Sequence, residues 1–112
     1  MSERDQSAVK AAEVKQLVDL LQYQDSSIVS RVLLKNKGGT VTLFAFDVGE
    51  GLSEHTAPFD ALVVVTDGEA EVQIAGESFN VRQGETIILP ANRPHAVKAT
   101  TKFKMLLIMI RA

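Results

Sequence analysis

The sequence predicts an all-β domain, a sandwich or barrel built from short strands. Three observations carry this. About eight short strand patterns recur at regular spacing between residues 27 and 111, divided by turn residues. An Asp67-Gly68 pair stands between two of these patterns. The last pattern contains "MLLIMI", apolar at consecutive positions from Met105 to Ile110, as in a strand buried on both faces.

The elements follow in order. Residues 1 to 7 are polar and read as a mobile lead. From Ala8 to Leu21, the spacing of Val14, Leu17, Val18 and Leu21 predicts a short N-terminal helix over 8–21. "SIVSRVLL" (27–34) is rich in β-branched and apolar residues and reads as a strand, "NKGG" (36–39) as a turn, and "TVTLFAFDV" (40–48) as an alternating strand. "ALVVVT" (61–66) and "EAEVQI" (69–74) flank Asp67-Gly68. That predicts a tight hairpin, because both central residues of a type I′ turn need positive φ. Within "EAEVQI", Ala70, Val72 and Ile74 share one face, while Glu69, Glu71 and Gln73 share the other. Hairpin pairing then places Ala61, Val63 and Val65 inside. It leaves Leu62 and Val64 on the outer face, where polar residues are expected. Further strands are "SFNV" (78–81), "TIIL" (86–89), "HAVKA" (95–99) and "KFKMLLIMIR" (102–111), with a turn at "RQGE" (82–85) and a connection at "PANRP" (90–94).

Composition narrows the function classes. A chain of 112 residues predicts one domain, 1–112, that buries roughly two-thirds of its unfolded surface. Net charge is −2 and no basic block is present, which argues against nucleic-acid binding driven by phosphate neutralisation. The absence of cysteine excludes disulfides, thiolate metal sites and a cysteine nucleophile. The start of the chain, "MSERDQSAVKAAEVKQ", lacks the apolar core of a signal peptide, and "MLLIMI" is too short to span a bilayer. The expectation is a cytoplasmic protein without membrane contact.

The turns also carry a pattern. Gly49 and His55 are separated by five residues, and Gly68 closes that segment. Gly84 and Pro90 are again separated by five, with His95 shortly after. This resembles the two motifs of the cupin family, G-x5-H-x-H-x3/4-E-x6-G and G-x5-P-x-G-x2-H-x3-N. The resemblance covers roughly residues 40 to 110, with motifs at 49–68 and 84–99. It implies a cupin-type double-stranded β-helix (jelly-roll) barrel over about 28–111. The stretch "HTAPFDALVVVTDGEAEV" further resembles small single-domain bacterial cupins.

In such proteins two histidines and a glutamate from the first motif, with one histidine from the second, hold a metal. By position, His55 and His95 match two of those ligands. Ala57 stands in place of the second histidine and Ala61 in place of the glutamate, while Asn92 replaces the second-motif glycine and Ala99 its asparagine. Two neutral imidazoles are a poor site for Zn²⁺, Fe²⁺ or Mn²⁺, which take three or four protein donors. Asp60 is the candidate for an improvised third ligand, but one step along a strand turns a side chain to the opposite face. Only a turn or bulge at "APFD" would bring it back, and Glu54 has the same parity problem.

His55 and His95 are therefore read either as interior histidines that satisfy each other or as pocket residues with acid–base capacity near neutral pH. No orienting carboxylate or nucleophile can be placed beside them. Tyr23 and Phe59 are candidates for core or for a pocket mouth. Pro90 and Pro94 shape the connection to His95. Glu69, Glu71, Glu77, Lys98, Lys102 and Lys104 read as solvated faces.

The resulting expectation is a barrel that binds a small organic ligand in a pocket lined by His55, Ala57, Ala61 and His95. No cofactor is expected to bind tightly, and a divalent cation (zinc, iron or manganese) at most weakly. The alternatives are a small metal-dependent enzyme of the dioxygenase, isomerase or decarboxylase kind, and a non-catalytic regulatory or structural module. Leu62 and Val64 on the outer face predict a homodimer with one of them near its interface.

Overall fold

A computed structural model describes residues 10–111. The expected mobile lead at 1–7, and the first two positions of the expected helix, lie outside the described residues. The described residues form eight strands: β1 (Ile28–Asn36), β2 (Gly39–Phe46), β3 (Gly51–His55), β4 (Ala61–Ile74), β5 (Glu77–Arg82), β6 (Thr86–Leu89), β7 (His95–Lys98) and β8 (Phe103–Ile110). All pairings are antiparallel, in the order β1-β2-β8-β4-β7-β3, with β5 and β6 also pairing to β4. The sheet curls on itself as the double-stranded barrel that the motifs imply. β3 had no strand signal in the sequence, because "GLSEH" is exposed at every position except the half-buried Leu52.

β4 is the hinge of the architecture, and it corrects the expected hairpin. It runs unbroken for 14 residues through Asp67-Gly68. Its first half pairs with β6 and its second half with β5 and β7, so one strand serves both walls of the barrel. Its register against β8 slips between Val65 and Asp67. An extra residue at a bulge reverses the alternation of side chains. Ala61, Val63 and Val65 are buried before it; Ala70, Val72 and Ile74 are buried after it. The inward residues were thus identified correctly, but a bulge and not a turn makes them so. Gly68 has φ +74°, and a Cβ there would overlap the Lys102 carbonyl oxygen and lie 3.0 Å from Phe103 Cα. The Asp-Gly signal reported a real need for positive φ, used here to let β8 pass close.

The barrel core packs Phe46, Val63, Val65, Val72, Phe103 and Met105, all fully buried. Phe46 and Phe103 stack with ring centroids 4.5 Å apart.

The expected N-terminal helix is also corrected. Among the described residues, its stretch holds only one 3-10 turn, Leu17–Asp19. Ala12 takes φ +60°, outside the helical region, and Val14 is fully exposed. The backbone carbonyls are claimed by the barrel instead of by amides four residues on. Lys104 Nζ donates to the Val18 carbonyl at 2.8 Å, and Arg31 Nη1 to the Leu20 carbonyl at 3.0 Å. Leu17, Leu20, Leu21 and Tyr23 pack as a strap over Leu43 and Ala45 on the outer side of β2. Tyr23 donates its hydroxyl proton to Asp67 at 2.6 Å. Burial, followed by the hydrogen bond to Asp67 and that carboxylate's charge, holds the phenol far above its ordinary pKa. Lys104, expected on a solvated face, is only 6% exposed. The strap covers it, and its ammonium lies 5.1 Å from the Tyr23 ring centroid.

On the same outer side, directly paired residues form one apolar row across five strands. Leu34 faces Val41, Val41 faces Ile108, Ile108 faces Leu62, and Leu62 faces Ile88. Leu34 and Ile88 are each about 60% exposed, at 61% and 60%. Five strands spaced at about 4.8 Å make this an apolar row about 20 Å long.

Candidate functional site

The first motif delivers His55 at the end of β3 and the second delivers His95 at the start of β7. The two strands pair so that these residues face each other directly. Their Nε2 atoms lie 3.1 Å apart, with the rings in an edge-on arrangement. His55 is exposed and His95 is 5% exposed, so the pair spans from solvent to interior. His55 Nδ1 lies 3.0 Å from the Ser53 carbonyl oxygen. A carbonyl only accepts, so Nδ1 carries the proton, and in the neutral ring Nε2 is then an acceptor. His95 Nε2–H therefore donates to it. His95 Nδ1 is left buried, without a hydrogen-bond partner. Burial first, and repulsion from His55 second, hold His95 below the ordinary histidine pKa. The Arg93 backbone opposes this in part without making a well-formed bond to the ring.

The connection before His95 is shaped by Asn92 and by Asp60. Asn92 adopts φ +65° where the motif has glycine, a conformation that asparagine tolerates better than other side chains. Its amide donates to the Ala57 carbonyl at 2.7 Å, tying the second motif to the first. Asp60 Oδ1 accepts from the Ala91 amide at 2.8 Å, so the carboxylate holds this same connection.

The two histidines stand at a cavity of about 50 Å³. Ala57 and Ala61 line it beside them, so the four positions singled out in the sequence converge on one space. Phe59, expected in core or at a pocket mouth, also lines it. Leu52, Leu89, Val97, Met105, Leu107 and Met109 complete the wall. Apart from the two imidazoles, every lining side chain is apolar. Tyr23 belongs to the strap and not to this cavity. The β8 wall residues escaped the sequence reading because "MLLIMI" is apolar on both faces, which hides the alternation that would have picked out Met105, Leu107 and Met109.

A metal at this place would find a poor donor set. The Nε2 separation suits two ligands of one cation at about 2.0–2.1 Å. The remaining ligand positions are methyl groups, and among the described residues no three His, Asp or Glu side chains converge. The residues present do not fit a transition metal.

Comparison with known proteins accords with this geometry. The model of the cupin domain family matches residues 42–111. The chain belongs to the cupin family. Among solved structures, this cupin is similar to a conserved Streptococcus pyogenes protein of unknown function, at 33% identity and TM-score 0.88, covering 93% of this chain and 91% of that one. It is also similar to a cupin 2 conserved barrel protein from Leptotrichia buccalis, at 45% identity and TM-score 0.82. That match covers 85% of this chain and 46% of the other, so the cupin described here spans about half of that protein's length. A Thermotoga maritima protein described as a predicted oxalate decarboxylase shares the fold at 16% identity and TM-score 0.71, covering 76% of this chain and 81% of that one. No curated protein matches the chain. No helix among the described residues is long and apolar enough to cross a membrane.

Proposed function

We propose that this cupin binds a small organic molecule in the barrel cavity, without a metal at its centre. One observation supports the reading above the others: the two missing ligands, Ala57 and Ala61, are wall residues of the same cavity that His55 and His95 enter. The space that a metal-binding cupin gives to an ion is here lined by carbon, with the two imidazoles the only polar side chains among the described lining residues. Such a cavity favours an apolar body, because burying apolar surface is favourable while burying an unpaired polar group is costly.

The enzyme alternative draws no support from this donor set. A dioxygenase or decarboxylase of the metal-dependent kind needs three or four ligands, and two are present.

The test is a fragment titration read by ¹³C-methyl NMR. Of the three methionines in the sequence, Met105 and Met109 line the cavity. A panel of small apolar and amphiphilic fragments is expected to shift the Met105 and Met109 methyl resonances. A panel that shifts neither, in folded protein, overturns the pocket reading.

A further inference from the structure

We infer that the ligand is a short-chain carboxylate, its head group held by Arg111 at the cavity mouth and its two- to four-carbon body inside. This rests on the pocket reading above and adds the chemical class.

The inference begins with strand parity. Met105, Leu107 and Met109 are alternate residues of β8, and all three line the cavity. Successive side chains of a strand point to opposite faces, so residue 111 continues this inward row one step past the end of β8. The row ends in a guanidinium. The Arg111 backbone is fixed at this place, its amide donating to the Gly38 carbonyl at 2.8 Å. Its guanidinium carbon lies 5.7 Å from the ring centroid of Phe59, which is itself a wall residue of the cavity. Stacking on an aromatic face leaves the edge of the guanidinium, with its N–H donors, free to meet an anion.

Among the described residues Arg111 makes no ion pair. The carboxylates closest along the chain to the mouth residues are committed or turned aside. Asp60 accepts from the Ala91 amide. Glu54 is exposed beside His55 on β3, where one step along the strand reverses the side chain. A guanidinium pairs with a carboxylate through two parallel hydrogen bonds, a geometry that no neutral group reproduces.

Size sets the rest of the molecule. The cavity of about 50 Å³ is about one-third of the roughly 150 Å³ that accepts benzene. That admits a chain of a few carbons but no ring. An inorganic anion has no apolar body to fill the wall, and a fatty acid of ordinary length has nowhere to put its tail. A short carboxylate satisfies the wall, the mouth and the volume together.

The experiment uses the full chain with ¹³C-methyl methionine and two probes of nearly equal shape, butyrate and butyramide. Butyrate is expected to shift Met105 and Met109 and to bind at least about tenfold more tightly than butyramide, as a charge-assisted pair requires. Arg111→Gln is expected to bring the two affinities to within about twofold of each other, with butyramide binding unchanged. Equal affinity of the two probes in the wild type would overturn the carboxylate inference while leaving the pocket reading in place. A full preference for butyrate in Arg111→Gln would overturn the role given to Arg111. If neither probe shifts the methyls, the inference fails, and the fragment panel decides separately whether the pocket reading survives. Fold integrity of Arg111→Gln is checked by its amide spectrum, and Arg111→Lys is the second variant. Lysine keeps the charge without the planar fork, so a partial preference is expected, and a full one would count against the bidentate pairing.

Discussion

Replacing Gly68 with asparagine separates a bulge from a turn. Gly84 supplies the control, because the two glycines have similar dihedrals, φ +74° at Gly68 and +86° at Gly84, in different surroundings. A Cβ on Gly84 meets nothing within 4 Å, whereas one on Gly68 overlaps the Lys102 carbonyl oxygen. At Gly84 the substitution costs only the left-handed conformation, for asparagine about 0.5–1 kcal/mol. At Gly68 the same cost applies, and β8 must also move away. The displaced contacts are the Asp67–Lys104 and Gly68–Phe103 pairings and the seat of Phe103, which is fully buried and stacked on Phe46. Two ladder hydrogen bonds at about 1 kcal/mol each, plus loosened aromatic packing, bring the total to about 3 kcal/mol or more. For a domain of this size that corresponds to a fall in Tm of about 10–20 °C for Gly68→Asn, against a few degrees for Gly84→Asn. Thermal unfolding followed by circular dichroism measures both. In a type I′ hairpin, asparagine at Gly68 would be well tolerated. Equal Tm shifts for the two variants would therefore refute the bulge.

Other measurements bear on the site and the surface. Protein purified without an affinity tag and dialysed against chelator should hold less than about half an equivalent of zinc, iron or manganese. Ala57→His combined with Ala61→Glu should gain tight binding of these ions by calorimetry, and stoichiometric metal in the wild type, or no gain in a folded variant, would contradict the donor argument. His95 adds a pH dependence. Its pKa is lowered in the folded state, so below about pH 6.5 the unfolded chain takes up the proton first. The stabilising contribution is complete above that pH and is lost as pH falls through the folded-state value. The wild-type Tm should thus fall more steeply on acidification than that of His95→Leu, and parallel slopes would refute it. We also propose that a second copy of the chain covers the five-strand outer row about a two-fold axis, since an apolar, uncharged row of this extent is self-complementary. Sedimentation equilibrium should show a dimer at micromolar concentration that Leu62→Lys dissociates, and a clean monomer in the wild type would refute it.

What the sequence made legible depended on how many physical demands each residue answered. The motif glycines, Pro90 and the two histidines answer one demand each, so their spacing could be matched to the cupin motifs, and the resemblance pointed to the positions that line the cavity. Asp67-Gly68 was ambiguous because positive φ serves a turn tip and a bulge equally well. The difference lies in what passes nearby, here the backbone of Lys102 and Phe103, some 35 residues on in the chain. The N-terminal segment misled for a related reason. Its apolar spacing is helical, but Lys104 and Arg31 take carbonyls that a helix would use, and neither partner is visible in a local window. Lys104 was misplaced by the same contact, since a lysine between apolar neighbours reads as solvated until the strap that covers it is known. Arg111 was hidden most deeply. An alternating strand would have shown residues 105, 107, 109 and 111 as one row, but β8 is apolar on both faces. One side belongs to the barrel interior and the other to the outer row through Ile108. The demand for an apolar outer surface therefore masks, in the sequence, the strand face that builds the pocket.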